Sequence, residues 1–377
     1  MIYVICFLSS AFFAYLADRA KNKDMIILYS VISILIPSIL GGLRAYGVGW
    51  DTETYGRSHC NQALMALSFE EFTSTNGADL GYNFLCYFIM KTLGHENWYY
   101  FFFILIPVTC IYIGAWRHRD KIWMPLTILV FYFMFYNRYL SAIRQSVALG
   151  IVFMNFDKLE KKEYLKFSFW VCIASLFHRS AFMVYGVGLG LYLIVTSEAM
   201  RKSMTFRLFV MASMAVSLMF ARILIFNVIS IIPILATRYS SVFNSESFFF
   251  SVETHYPVTL TMIATIIMMT LYRNGATKAL SGPLENRNNI EFYKFNIIFC
   301  VIFQIFVKFY LSRVLMYSEL LNVYAVAAIP SFIKEKYLKY ATIACVVLFA
   351  MAIWYVRCMS RGGNSGTYPY RSIVPIL

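Results

Sequence analysis

Long apolar runs recur along the whole chain, and no other feature restricts its fold so severely. A helix needs around 20 residues to cross about 30 Å of hydrocarbon, and within lipid every backbone N–H and C=O must be satisfied inside the protein. Runs suited to that task fall near 2–17, 25–43, 98–116, 122–137, 139–156, 164–177, 180–196, 207–232, 256–272, 292–312, 314–333 and 338–356. They predict an all-α polytopic membrane protein with about 12 transmembrane helices. The short runs on either side of His178 also suit two half-helices meeting at a break. Composition agrees: 60% of the 377 residues are hydrophobic, against roughly 45–50% in soluble domains. Met1–Ala17 has no basic stretch before it and a Lys/Arg cluster after it, so it reads as a retained first span rather than a signal peptide.

Short cytoplasmic loops collect Lys and Arg. Arg19, Lys21 and Lys23 mark one such loop, Arg117, Arg119 and Lys121 another, and Lys158, Lys161, Lys162 and Lys166 a third. Later clusters around Arg201, Arg273 and Lys334 continue the series and place both termini outside. One segment, 80–93 (LGYNFLCYFIMKTL), is apolar enough to enter the bilayer, yet a further full span there would reverse every upstream loop. It is therefore expected to be re-entrant or interfacial. The chain then forms one transmembrane domain, with an outer loop region over 44–97, a second outer loop over 233–255 and an outer tail over 357–377. The net charge of +14 is explained by orientation and by anionic inner-leaflet lipid, without nucleic acid. The eight cysteines show no CxxC or His/Cys ligand spacing. Cys60 and Cys358 are the two that fall in outer segments.

Once the orienting cations are set aside, the outer and intramembrane ones stand out, and almost all of them are Arg. Charge at membrane depth is costly and faces a partner or a wet cavity. The planar guanidinium fork suits phosphate oxygens, so a set of outward arginines predicts a phosphorylated or otherwise anionic ligand. The alternative for each one is snorkelling to lipid headgroups. In GGLRAYGVGWDTETYG, Arg44, Asp51 and Tyr55 lie at the end of the second apolar run among helix-breaking glycines. In FYNRYLSAIRQSVALG, Arg144 follows Arg138 by six residues, about 9 Å deeper if the segment is one helix. In LFHRSAF, His178 and Arg179 occupy an outer turn, and His178 has the one side chain suited to proton exchange near neutrality. Arg238 and Tyr239 open the second outer loop, Arg313 lies at a later corner, and Arg371 sits in a tail able to fold back over the site.

Four stretches resemble the EpsG-like branch of the Wzy-type polysaccharide polymerases: LRAYGVGWDTETY, IRQSVALGIVF, LFHRSAF and YPYRSI. The Gly81–Tyr82 pair also recurs in such proteins, while Trp50 stands where a small residue is common. The resemblance spans nearly the whole chain. It implies a metal-independent, cofactor-free glycosyltransferase that polymerises undecaprenyl-pyrophosphate-linked oligosaccharide into O-antigen or a related surface polysaccharide. It further implies a bacterial inner membrane location with the site facing the periplasm, and a chain-length regulator as a protein partner. Arg44, Arg144 and Arg238 are then expected on the donor pyrophosphate, with Arg138, Arg179 and Arg313 as further contacts. Tyr55, Tyr239 and Arg371 would touch glycan or phosphate, and Asp51 and His178 are rival bases. The competing readings are a flippase for the same lipid-linked unit and an O-antigen ligase-type transferase.

Overall fold

A computed structural model describes residues 1–120, 122–197, 203–213, 296–300, 312–333, 335–359 and 366–373. Its helices are α1 (Ile2–Arg19), α2 (Lys23–Gly42), α3 (His59–Met65), α4 (Phe69–Asn76), α5 (Leu80–Leu93) and α6 (Glu96–Arg117), then α7 (Met124–Phe131), α8 (Asn137–Ser141), α9 (Ile143–Met154), α10 (Phe156–Glu160) and α11 (Tyr164–Ser175). After these come α12 (Gly190–Thr196), α13 (Met204–Ser213), α14 (Ser312–Ala328) and α15 (Lys336–Cys358). Among the described residues the regular structure is helical, apart from one isolated β-bridge. The chain divides into two compact units, one of Met1–Phe182 with Val326–Leu377 and one of Met183–Ala325.

The first unit is built on α1 and α2. Asn22 caps α2 by accepting the Asp24 N–H at 2.8 Å, which turns the chain back after α1. Small hydroxyl residues let the two helices approach: Ser10 Oγ donates to the Ser33 carbonyl at 2.6 Å, and Ser33 Oγ returns a bond to the Ser10 carbonyl at 2.8 Å. Interhelical bonds of this kind suit a membrane interior, where burial of apolar surface does not drive helices together. Ile5, Leu8 and Phe12 on α1 and Ile27, Leu28 and Val31 on α2 remain exposed, as a lipid-facing surface requires. Helix α6 packs between α2 and α9.

Four helices, α1, α2, α6 and α15, are long and apolar enough to cross a membrane. The expected count of about 12 spans is therefore not reached among the described residues. The runs at 122–137 and 139–156 look continuous in sequence, yet α7 passes into a π-helical stretch over Tyr132–Tyr136, and Ala142, with φ −106° and ψ 62°, separates α8 from α9. Arg138 and Arg144 thus lie on opposite sides of a break, not on one helix. Around His178 the alternative reading holds: α11 stops at Ser175 and a 3-10 turn over Arg179–Phe182 follows. The run near 256–272 and most of 207–232 and 292–312 lie outside the described residues. Helix α5 has 14 residues, about 21 Å at 1.5 Å per residue and short of the hydrocarbon thickness. Cys60 and Cys358 are free, buried thiols.

In the second unit, Asn296 links two helical segments by donating to the Ser318 carbonyl at 2.8 Å and to Asn322 Oδ1 at 2.7 Å.

Candidate functional site

The interruption at Ala142 organises this region. Breaking a helix frees carbonyls on one side and N–H groups on the other, with partial negative and positive charge respectively. The loop that follows α2 supplies one charge of each sign. Arg44 Nη1 donates to the Leu140 carbonyl at 2.5 Å, and Asp51 Oδ2 accepts the Ile143 N–H at 2.9 Å. Gly49 makes the approach possible: its φ is +99°, and a Cβ there would lie 2.5 Å from the Leu140 carbonyl oxygen. Thr52 ties the turn by donating to the Gly49 carbonyl at 2.6 Å.

The tail closes over this loop. Ala45 N donates to the Arg371 carbonyl at 2.8 Å and Ile373 N to the Leu43 carbonyl at 3.0 Å, forming an antiparallel bridge between Arg44 and Ser372. Further along, Gly49 N donates to the Gly366 carbonyl at 2.8 Å, and the Trp50 indole lies against Gly366. The Tyr3 hydroxyl donates to the Thr367 carbonyl at 2.8 Å and Tyr370 to that of Leu40 at 2.8 Å. Arg44 ends fully buried, its guanidinium 4.5 Å from the centre of the Tyr100 ring. Its Nε and Nη2 have no hydrogen-bond partner among the described residues. Burial lowers its affinity for the proton, and the nearby tyrosines, Tyr100 first, work against that shift.

Beyond the break, Arg144 projects from the first turn of α9. Its Nη1 meets Asp79 Oδ2 at 3.2 Å, its Nη2 donates to the Tyr55 hydroxyl at 2.6 Å, and its guanidinium stacks 4.0 Å from the centre of the Tyr55 ring. The second oxygen of Asp79 accepts Arg179 Nε at 2.9 Å. Segments remote in sequence therefore meet at one carboxylate. Gly81 brings the last two together, because its N–H donates to the Leu176 carbonyl at 2.8 Å and a Cβ on it would lie 2.9 Å from Leu176 Cβ. The start of α5 is thereby seated on the turn that carries Arg179.

Aromatic side chains support the cluster from behind. The Tyr82 hydroxyl donates to the Tyr55 carbonyl at 2.8 Å and lies 3.1 Å from His59 Nδ1. The His59 ring sits edge-on to that of Tyr55, with centroids 5.3 Å apart. Burial, and then the Arg144 charge, push His59 down to about 4, so it is neutral at physiological pH.

Sequence reading singled out Arg144, Arg179 and Tyr55, and the structure brings these three together. Arg44 and Asp51 lie one step away, on the two ends of the break. His178 Nδ1 accepts the Ser180 N–H at 3.2 Å and lies 2.6 Å from Ser180 Oγ. A backbone N–H only donates, so in neutral His178 the proton resides on Nε2. Arg138 is half-buried on α8, and Arg371 is exposed, its carbonyl engaged in the bridge. Arg313 belongs to α14, in the second unit. Arg238 and Tyr239 lie outside the described residues. Sequence reading missed Asp79 and His59 as members of the site. Asp79 was legible only as the polar residue before an apolar helix, the ordinary position of an N-cap. Among the described residues no group of three or more His, Cys, Asp or Glu side chains is placed to hold a metal ion.

No curated protein and no solved structure matches the chain. The EpsG family pattern matches residues 27–372, a stretch that includes the loop after α2, the α5 start, α9, the Arg179 turn and the tail. The match covers nearly the whole sequence and joins the apolar helices described above, and on that ground the chain belongs to the EpsG family, a Wzy-like polymerase family, as a polysaccharide polymerase-type membrane protein.

Proposed function

We propose that this protein polymerises undecaprenyl-pyrophosphate-linked oligosaccharide repeat units into O-antigen or a related surface polysaccharide, by metal-independent glycosyl transfer at the periplasmic face of the bacterial inner membrane. The observation that supports this most is the convergence of Arg144 and Arg179, from separate segments, on the Asp79 carboxylate. In the reaction, an acceptor hydroxyl oxygen attacks the anomeric carbon of the donor sugar. The bond from that carbon to the pyrophosphate oxygen breaks, and the leaving pyrophosphate takes the electron pair. Cations already fixed where that charge develops lower the barrier without reorganising. Arg144 is fixed in this sense, since Asp79 and Tyr55 each hold one of its terminal nitrogens.

The hydroxyl proton needs an acceptor. His178 accepts the Ser180 N–H at Nδ1, so its role in this reading is to donate from Nε2 to substrate. Asp51 is the base. Its carboxylate is an acceptor-only group, held at the break where its Oδ2 accepts the Ile143 N–H. Arg44 acts indirectly, by bracing the break from which Arg144 projects. Arg138 and Arg371 are secondary contacts to glycan or pyrophosphate.

Purified protein incubated with a defined undecaprenyl-pyrophosphate repeat unit, without added metal, is expected to yield a ladder of products. Arg144→Lys keeps the charge but loses the fork, and is expected to slow ladder formation by about 10²-fold or more. Wild-type rates in Arg144→Lys would rule out recognition of pyrophosphate by this guanidinium.

A further inference from the structure

Asp79 has no part in the chemistry above, yet both site arginines converge on it. Its side chain is 9% exposed, whereas that of Arg144 is 15% and that of Arg179 59% exposed. The carboxylate is thus on the protein side of the cluster and Arg179 is on the open side. The two oxygens are divided between the arginines, Oδ2 to Arg144 Nη1 at 3.2 Å and Oδ1 to Arg179 Nε at 2.9 Å. Arg144 has a second restraint, in the Tyr55 hydroxyl and ring. Arg179 follows a turn seated on α5 through Gly81, and its exposed side chain is drawn toward Arg144 by the carboxylate. Two cations and one carboxylate leave the cluster with a single positive charge.

We propose that Asp79 is the positioning residue of the anion site: it touches no substrate, holds Arg144 and Arg179 in one pyrophosphate-binding arrangement, and lowers the charge that a ligand meets. The proposal rests on the pyrophosphate reading given above. Its consequence is a division of effects that plain structural support does not produce. Removing the carboxylate charge while keeping its shape makes the site more attractive to anions. It also removes the carboxylate that ties Arg179 to Arg144, and with it the paired arrangement that stabilises the leaving group.

The test uses the full-length protein in detergent or nanodiscs, with farnesyl pyrophosphate as a binding probe and the defined repeat unit as substrate. Asp79→Asn is expected to bind farnesyl pyrophosphate about fivefold more tightly, as for one partly exposed charge pair. The KM for the repeat unit should fall by a similar factor while kcat drops about tenfold or more. Asp79→Glu restores the charge but displaces it by one methylene, so its KM should match wild type with kcat still lowered. If Asp79→Asn does not accumulate, Asp79→Glu carries the test: a wild-type KM with lowered kcat supports the proposal, and a raised KM overturns it. Unchanged KM and kcat, or a rise in KM together with the loss of kcat, overturns the proposal. Arg144→Gln separates it from its premise. If Arg144→Gln binds farnesyl pyrophosphate as wild type does, the pyrophosphate reading fails and takes this proposal with it. If Arg144→Gln loses binding while Asp79→Asn behaves as wild type, the proposal alone fails.

Discussion

At the residue scale, Arg44 and Asp51 act on the two ends of one interrupted helix, each placed at the end whose partial charge it complements. A carboxylate on an N-terminal N–H is worth typically about 1 kcal/mol. A fully buried guanidinium with two unbonded nitrogens costs more than that, so other contacts must offset it. Its place over Tyr100 and the overlying tail are two such contacts. His59 carries the clearest solution signature. A base whose folded-state value lies near 4, below the usual 6.5, binds protons more weakly in the native protein than in the unfolded chain. Stability is therefore whole above about pH 6.5 and falls as pH drops toward 4, by on the order of 3 kcal/mol at the lower end. His59→Gln is expected to flatten that part of a melting-temperature profile recorded between pH 7 and 4.5. An equal fall in both proteins would assign the acid sensitivity to other groups. Arg144, Arg179 and Tyr55 were legible in the sequence because outward arginines in a membrane protein demand an explanation. Asp79 and His59 were not, since a carboxylate before a helix and a lone histidine are ordinary until their neighbours are known.

At the element scale, the described apolar runs were legible as helices, and the break at His178 with them, but the break at Ala142 was not. Breaks are usually marked by Gly or Pro, and FYNRYLSAIRQSV contains neither. The break at Ala142 is stabilised instead by a loop almost a hundred residues upstream, and no local pattern records that. Gly81 is the opposite case, a residue whose role becomes plain once the packing is seen. Gly81→Ala would place a Cβ 2.9 Å from Leu176 Cβ and 3.0 Å from its carbonyl oxygen. Relief requires α5 to move away from the Arg179 turn, at a cost of about 1–3 kcal/mol by analogy with overpacked cores. The Asp79–Arg179 contact should loosen with it, and polymerisation by purified Gly81→Ala should drop about tenfold. A variant that melts and polymerises like wild type would show that this contact does not fix the arginine.

At the scale of the whole molecule, the bridge between residues 43–45 and 371–373 sets a topological condition. The loop leaving α2 and the tail leaving α15 must lie on the same side of the membrane. In a protein with Cys172 and Cys345 replaced, Thr54→Cys and Tyr368→Cys are each expected to react with a membrane-impermeant thiol reagent added from outside. Labelling of the two from opposite sides would dismantle the fold of the first unit. Apolar runs made the helical character legible, while the pairing of loop and tail depends on contacts that sequence periodicity does not encode. That pairing also has a consequence in time. Leu43 and its partner Ser372 are 329 positions apart, so at about 5–20 residues per second the ribosome needs roughly 16 to 66 s to deliver the second after the first. Throughout that interval the cation destined for complete enclosure lacks the part of its cover that the tail supplies. The loop must wait in some wetter, provisional state, open to proteases and chaperones, and the tail determines when the earliest part of the site becomes permanent.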